Sequence, residues 1–261
     1  MKKIIVKLAL VGSMACASQS VFALPAADPA ADCSQLPTWS VLQNKLASVS
    51  PDKLTNGGFG LNMWVTVVNR DGYVCAVAYT GSDRNQQWPG SRIISAQKAN
   101  TANAFSLPGL ALSTANLYTA VQPGGSLFGL QLSNPVDTAA AYAGPAANYG
   151  QAIDPLVGQR VGGVNVFGGG LALYAQGTLV GAIGVSGDTS CADHNIAWRT
   201  RHALGLDYVP GGVSGDASRP DNIVFDVHTV PGLQIGVSAK GWGHPGCVNT
   251  TAANLLPATR I

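Results

Sequence analysis

The sequence predicts an α/β fold, an antiparallel sheet with helices packed on it. Three observations point there. Two pairs of β-type runs, within 62–80 and 171–185, are each joined by a tight turn. Segments of helical periodicity alternate with those pairs. The composition is 46% hydrophobic and 11% charged with 32 Gly and 15 Pro, which excludes both a disordered polymer and a long helical bundle.

Taken in order, residues 1–23 read as a secretory signal peptide. Lys2, Lys3 and Lys7 stand at the start of an apolar run, and Ser20-Val21-Phe22-Ala23 offers a small-residue cleavage site. The run is too short for a membrane span of about 20 residues. The expected location is therefore periplasmic or secreted. Removal of the three lysines leaves 12 basic against 13 acidic residues, so no basic field remains for nucleic acid or anionic lipid. Residues 24–37 form a mobile lead-in, and 38–261 a single domain.

Trp39, Leu42, Leu46 and Val49 recur at helical spacing, with Pro51 beyond the end. Strands are expected over Asn62–Asn69 and Tyr73–Thr80, turning at Asn69-Arg70-Asp71-Gly72. Ser91 caps a helix to about Phe105 whose small face, Ile93, Ala96, Ala99 and Ala102, suits close approach to a sheet. A short helix is expected over Leu110–Ala120, then a turn-rich excursion over 121–163. Leu171–Tyr174 and Leu179–Val185 make the second hairpin. A helix runs from about Ser190 to Leu204, ended by Gly205, and a last strand is expected at Ile223–Val227.

All 13 acidic residues are Asp, so any mechanism that needs a glutamate is excluded. Cys16 leaves with the signal peptide. Cys33, Cys75, Cys191 and Cys247 remain, an even number that indicates two disulfides in an exported chain. Three pairings are possible, and Cys33–Cys75 with Cys191–Cys247 would tie both arms to the body. Cys191-x-x-His194 and His244-x-x-Cys247 mirror one another. They fit either a disulfide flanked by histidines or a Cys2His2 zinc site, with zinc the lesser alternative. Both readings bring His194 and His244 together.

His194, Trp198 and Arg201 share a helix face suited to a flat, anionic, aromatic ligand, with Asp193 and Arg199 beside it; a solvated charged face is the plainer reading. Lys98, in the middle of a helix among small residues, is either a buried anion partner or a snorkelling surface lysine. Gly184-Val185-Ser186-Gly187-Asp188 fails the nucleophile-elbow pattern. Gly168-Gly169-Gly170 lacks dinucleotide-binding spacing, and no C-x-x-C-H exists for covalent haem.

Three stretches resemble the GlcG/HbpS family of haem-binding and haem-degrading domains, related to the carboxy-terminal domain of PduO-type adenosyltransferases. They are Val65–Gly72, Ser95–Phe105, and Gly177–Gly187 followed by Asp193. The matched core spans 58–105 and 164–205; the insertion 121–163 and the extension 206–261 exceed the usual family length. The resemblance implies a profilin-like α/β/α sandwich assembled as a homo-oligomer. It implies haem or a related tetrapyrrole as ligand and, for an exported member, a role in haem capture or redox sensing.

His194 and His244 are then the candidate iron ligands, Arg199 or Arg201 the propionate partners, and Trp198 or Trp242 the stacking groups. A non-enzymatic binding protein is the leading expectation. The alternatives are a lyase-type enzyme using Asp193, His194 and Lys98 as acid and base, and an assembly protein without ligand. Family iron clusters built on Glu cannot form in this chain.

Overall fold

The computed structural model describes residues 32–50, 53–229 and 236–261. The expected signal peptide and most of the lead-in lie outside them. The elements run α1 (Trp39–Val49), α2 (Lys53–Asn56), β1 (Trp64–Asn69), β2 (Val74–Tyr79), α3 (Ser91–Phe105), α4 (Leu130–Ser133), α5 (Thr138–Ala141), β3 (Gly170–Ala175), β4 (Thr178–Ser186), α6 (Ser190–Leu204), β5 (Val227–Thr229) and β6 (Gly236–Ser238).

Strands β1 to β4 form one antiparallel sheet in the order β2-β1-β4-β3. Alternation along the strands divides the core into two layers. Val65 and Val67 of β1, Leu171 and Leu173 of β3, and Ile183 and Val185 of β4 face α1 and α6, meeting Leu42, Leu46, Ile196 and Trp198. Trp64, Val68, Val74, Val77 and Ala182 face the other way, onto Ile93, Ala96, Ala99 and Ala102 of α3. The expected antiparallel sheet between helices is the architecture found.

Helix α3 lies very close to the sheet because two cross-strand partners beneath it, Gly170 and Gly184, carry no side chain. A methyl on Gly184 would overlap the carbonyl oxygen of Ser95, and one on Gly170 that of Lys98. Thr66 Oγ1 meets Ser95 Oγ at 2.7 Å and fixes the helix along its axis.

Four expectations are corrected. Ser91 is the first helical residue rather than the cap, which is Gly90. Leu110–Ala120 is not a helix: the mutual bonding of Ser113 and Asn116 starts a tight 3-10 turn at Thr114–Leu117, and a second follows at Thr119–Val121. The excursion 121–163 is more ordered than its turn signals imply. It carries α4 and α5 and is pinned by Arg92, whose guanidinium grips Asp154 in a buried ion pair and donates to Ala141 O. The strand expected at Ile223–Val227 covers Val227–Thr229 instead and is not the last, since β6 pairs with it; His244 and the Asp226 partners Ser238 and Lys240 engage the residues before it.

Two disulfides, Cys33–Cys75 and Cys191–Cys247, close separations of 42 and 56 residues. Loop entropy alone values each at about 4 kcal/mol against the unfolded chain. The paired sulfurs leave no thiolates for zinc, so the Cys2His2 alternative is set aside.

The glycine contact yields a test. Gly184→Ala should cost about 3 kcal/mol or prevent folding, read by urea unfolding, because the Cβ meets rigid backbone. Wild-type stability in that variant would contradict the packing described.

Candidate functional site

The site is built where α3, the end of β4 and the start of α6 converge. Lys98 reaches past the sheet, and its Nζ donates to Asp193 Oδ2 at 2.7 Å and Val185 O at 3.2 Å. Both side chains are almost fully buried, at 2% and 3% exposure. Space for the ammonium comes from Gly169, whose φ of +123° favours glycine and whose Cβ would overlap Val185 O and crowd Lys98 Nζ. Asp193 Oδ1 accepts from Asp188 N at 2.9 Å. Burial pushes the Asp193 carboxyl up to about 6, outweighing the attraction of Lys98.

His194, one residue further along α6, is fully buried. Its Nε2 lies 3.1 Å from both Asn222 Oδ1 and the backbone nitrogen of Ile223. Burial lowers its pKa to about 3, so the ring is neutral.

His244 is also buried. Its Nδ1 donates to Pro245 O at 2.7 Å, which assigns the proton to Nδ1 and leaves a lone pair on Nε2. Among the described residues, that buried Nε2 has no hydrogen-bond partner, and neither has His194 Nδ1. Burial, with a smaller effect from the Lys98 charge, holds the His244 pKa down at about 4.

The rings of Tyr118 and His244 lie 5.1 Å apart, and Tyr118 lies 6.3 Å from Phe167, which is 45% exposed. Trp242 packs on the adjoining cluster of Leu112, Leu117, Val121, Val164 and Val166. An aromatic file thus runs from the surface at Phe167 through Tyr118 to the His244 ring. Nothing in the local sequence around Tyr118 or Phe167 marks them; the fold brings them to His244.

The predicted site residues divide. Lys98, Asp193, His194 and His244 gather around the start of α6. Trp198 is turned into the core, with its Nε1 donating to Pro257 O at 2.9 Å. Arg201 is buried and donates twice to Asp221, at 2.6 and 2.9 Å, and once to Ala172 O. The helix face read as a ligand platform is therefore interior, because Asp221 supplies the anion its arginine needs. Arg199 points elsewhere and donates to Thr55 O at 3.3 Å. Among the described residues, no group of three or more His, Cys or Asp side chains is arranged to hold a metal ion.

The neutral imidazoles set a pH dependence. Below pH 6.5 the unfolded chain protonates both histidines while the folded chain resists, so folding loses about 5 kcal/mol between pH 7 and 4.5. Asp193, with its raised pKa, works in the opposite sense and returns about 2 kcal/mol over the same interval. These three groups together should lower stability by about 3 kcal/mol in urea unfolding at pH 4.5, and His244→Gln should remove about half of the histidine part. A variant as acid-sensitive as wild type would contradict a neutral, buried His244.

Residues 44–201 match the family model described as haem degrading protein HbpS-like. A curated relative, the uncharacterized 15.0 kDa protein in the dhaT-dhaS intergenic region of Citrobacter freundii, is 36% identical over 104 residues. That match covers 40% of this chain and 51% of the relative, so the chain spans about half the length of the curated relative it matches. Among solved structures, the Klebsiella pneumoniae protein ORFY aligns at 24% identity and a TM-score of 0.43, over 64% of this chain and 90% of that one. The PduOC:heme complex aligns at 22% identity and 0.43, over 64% and 94%. HbpS aligns at 17% and 0.39, over 64% and 89%. With more than half of its length inside the family match, this chain belongs to the HbpS-like family.

Proposed function

We propose that this protein binds haem or a related tetrapyrrole outside the cytoplasm, with His244 as the residue that meets the iron. The observation that carries the reading is the state of that imidazole: Nδ1–H tied to a backbone carbonyl, Nε2 bare, and the ring neutral. A histidine held in this way has the tautomer of an iron ligand and stays neutral, with the Nε2 lone pair free to coordinate. Membership of the HbpS-like family supports the choice of ligand class. Bound haem would supply an iron centre able to coordinate an imidazole nitrogen.

Several residues of this chain suit that role. Tyr118 and Phe167 line the way to His244, and Trp242 sits on the apolar cluster beside it. All three can lie against a flat macrocycle. The chain around His244 must part from Tyr118 for Nε2 to be reached. Arg201 keeps Asp221 as its partner and is left out of the propionate-binding set.

Export is part of the proposal. It is supported by the lysine-led apolar run at 1–23 and by two disulfides, which persist in oxidising compartments. Haem capture or redox sensing is the role such an exported binder would serve. Assembly as a homo-oligomer belongs to the same reading and draws support from exposed apolar side chains such as Trp88, Phe128 and Leu132.

Titration of the mature chain with hemin, followed at the Soret band, tests the reading. Wild type and His194→Ala should give a stoichiometric shift, and His244→Ala should lose it. A featureless wild-type titration would remove haem as the ligand, and retention of the shift in His244→Ala would remove the assigned residue.

A further inference from the structure

We propose that the Cys191–Cys247 disulfide is a thiol-exchange site, and that its opening by an external dithiol raises the exposure of the His244 imidazole, which in the oxidised chain is reached only by transient parting from Tyr118. The two sulfurs are not equivalent. Cys191 is 1% exposed, whereas Cys247 is half-buried between the exposed residues Gly246 and Val248. Cys247 is therefore the more accessible end of the bridge to a reductant.

Donors at the start of α6 face the bond. The backbone N–H of Cys191 lies 3.3 Å from Cys247 Sγ, and the Ser190 hydroxyl lies 3.5 Å from it. Cys191 itself occupies the first turn of this fifteen-residue helix. Negative charge that develops on Cys247 Sγ is stabilised by these donors, while Cys191 Sγ, which lies 3.8 Å from Pro245 O, has only the helix dipole in its favour.

The exchange balances as follows. One thiolate of the dithiol attacks Cys247 Sγ, the Sγ–Sγ bond breaks, and Cys191 leaves as a thiolate that takes up a proton. The second thiolate of the reductant then attacks its own sulfur in the mixed disulfide and releases Cys247. Two electrons pass to the protein, the reductant departs as a disulfide, and its two thiol protons end on Cys191 and Cys247.

Opening the bridge matters because little else holds the segment over the site. Among the described residues, three hydrogen bonds tie Gly243 and His244 to the body: His244 N to Val224 O at 2.8 Å, Thr119 Oγ1 to Gly243 O at 2.5 Å, and Gly243 N to Ser238 Oγ at 3.0 Å. The ring rests on Tyr118, while Nε2 binds nothing among the described residues. A buried acceptor without a partner gains by meeting water, so release favours exposure. His194 stays in place, since its helix is held by the sheet and by Asn222.

The oxidised full chain, incubated with and without dithiothreitol, provides the test. Alkylation and peptide mapping report which bridge has opened, and diethylpyrocarbonate labelling reports histidine exposure. Expected are alkylated Cys191 and Cys247, a rise of about tenfold or more in His244 labelling, and no gain at His194. A bridge that stays closed in the folded chain, or an opened bridge over a still-protected His244, would overturn the proposal. So would equal labelling of His194, which would mean global unfolding rather than local release. No haem is present in this assay, so its outcome is independent of the hemin titration.

Discussion

The buried ion pair between Lys98 and Asp193 is the constraint on which the site depends. Helices α3 and α6 lie on opposite faces of the sheet, so they cannot pack on one another directly. The pair joins them around the end of β4, where Gly168-Gly169-Gly170 leaves room for the lysine. The connection continues outward, because Asp193 holds Asp188 N and the Asp188 carboxylate accepts from the backbone of Phe59 and Leu61. Removing two charges from water is costly, and their attraction roughly offsets that cost, so the pair adds geometry more than net stability. Its value lies in specifying how the start of α6, and with it His194 and Cys191, meets the sheet.

The second feature is a set of polar groups in the interior that the fold leaves incompletely satisfied. Natural interiors pair nearly all such atoms. Here two imidazole nitrogens within reach of one another's electrostatic influence have no partner among the described residues. One of them, His244 Nε2, belongs to a segment tied down chiefly by a disulfide and three hydrogen bonds, and it abuts an aromatic file that leads to the surface. On the proposed reading, that bare, neutral nitrogen serves a ligand rather than the fold. The same burial that keeps it neutral makes the folded chain sensitive to acid.

Much of this was legible in the residues. The β-type runs, with Asp71-Gly72 in one turn and Gln176-Gly177 in the other, give both hairpins, since strand pattern and turn chemistry are local. The small face of α3 announces close packing on a sheet, and the mirrored Cys and His spacings announce the Cys191–Cys247 bridge, with His194 and His244 each three positions from one of its cysteines. What was not legible depends on residues distant in sequence. The inward turn of Trp198 and Arg201 follows from Asp221, 20 positions beyond the arginine, which no helical periodicity reveals. Tyr118 and Phe167 are aromatic residues without motif, joined to His244 only by the tertiary fold. The glycine triplet, which fails as a nucleotide-binding motif, serves close packing around an ammonium group instead.

A double-mutant cycle on Lys98→Met and Asp193→Asn, read by urea unfolding at pH 7, probes the organising pair most directly. Each single change should cost about 3–5 kcal/mol, because it strands a buried partner, and the double variant should recover most of that loss. Single costs that simply add, with no recovery in the double variant, would show that the two side chains act independently and that the site is organised by something else.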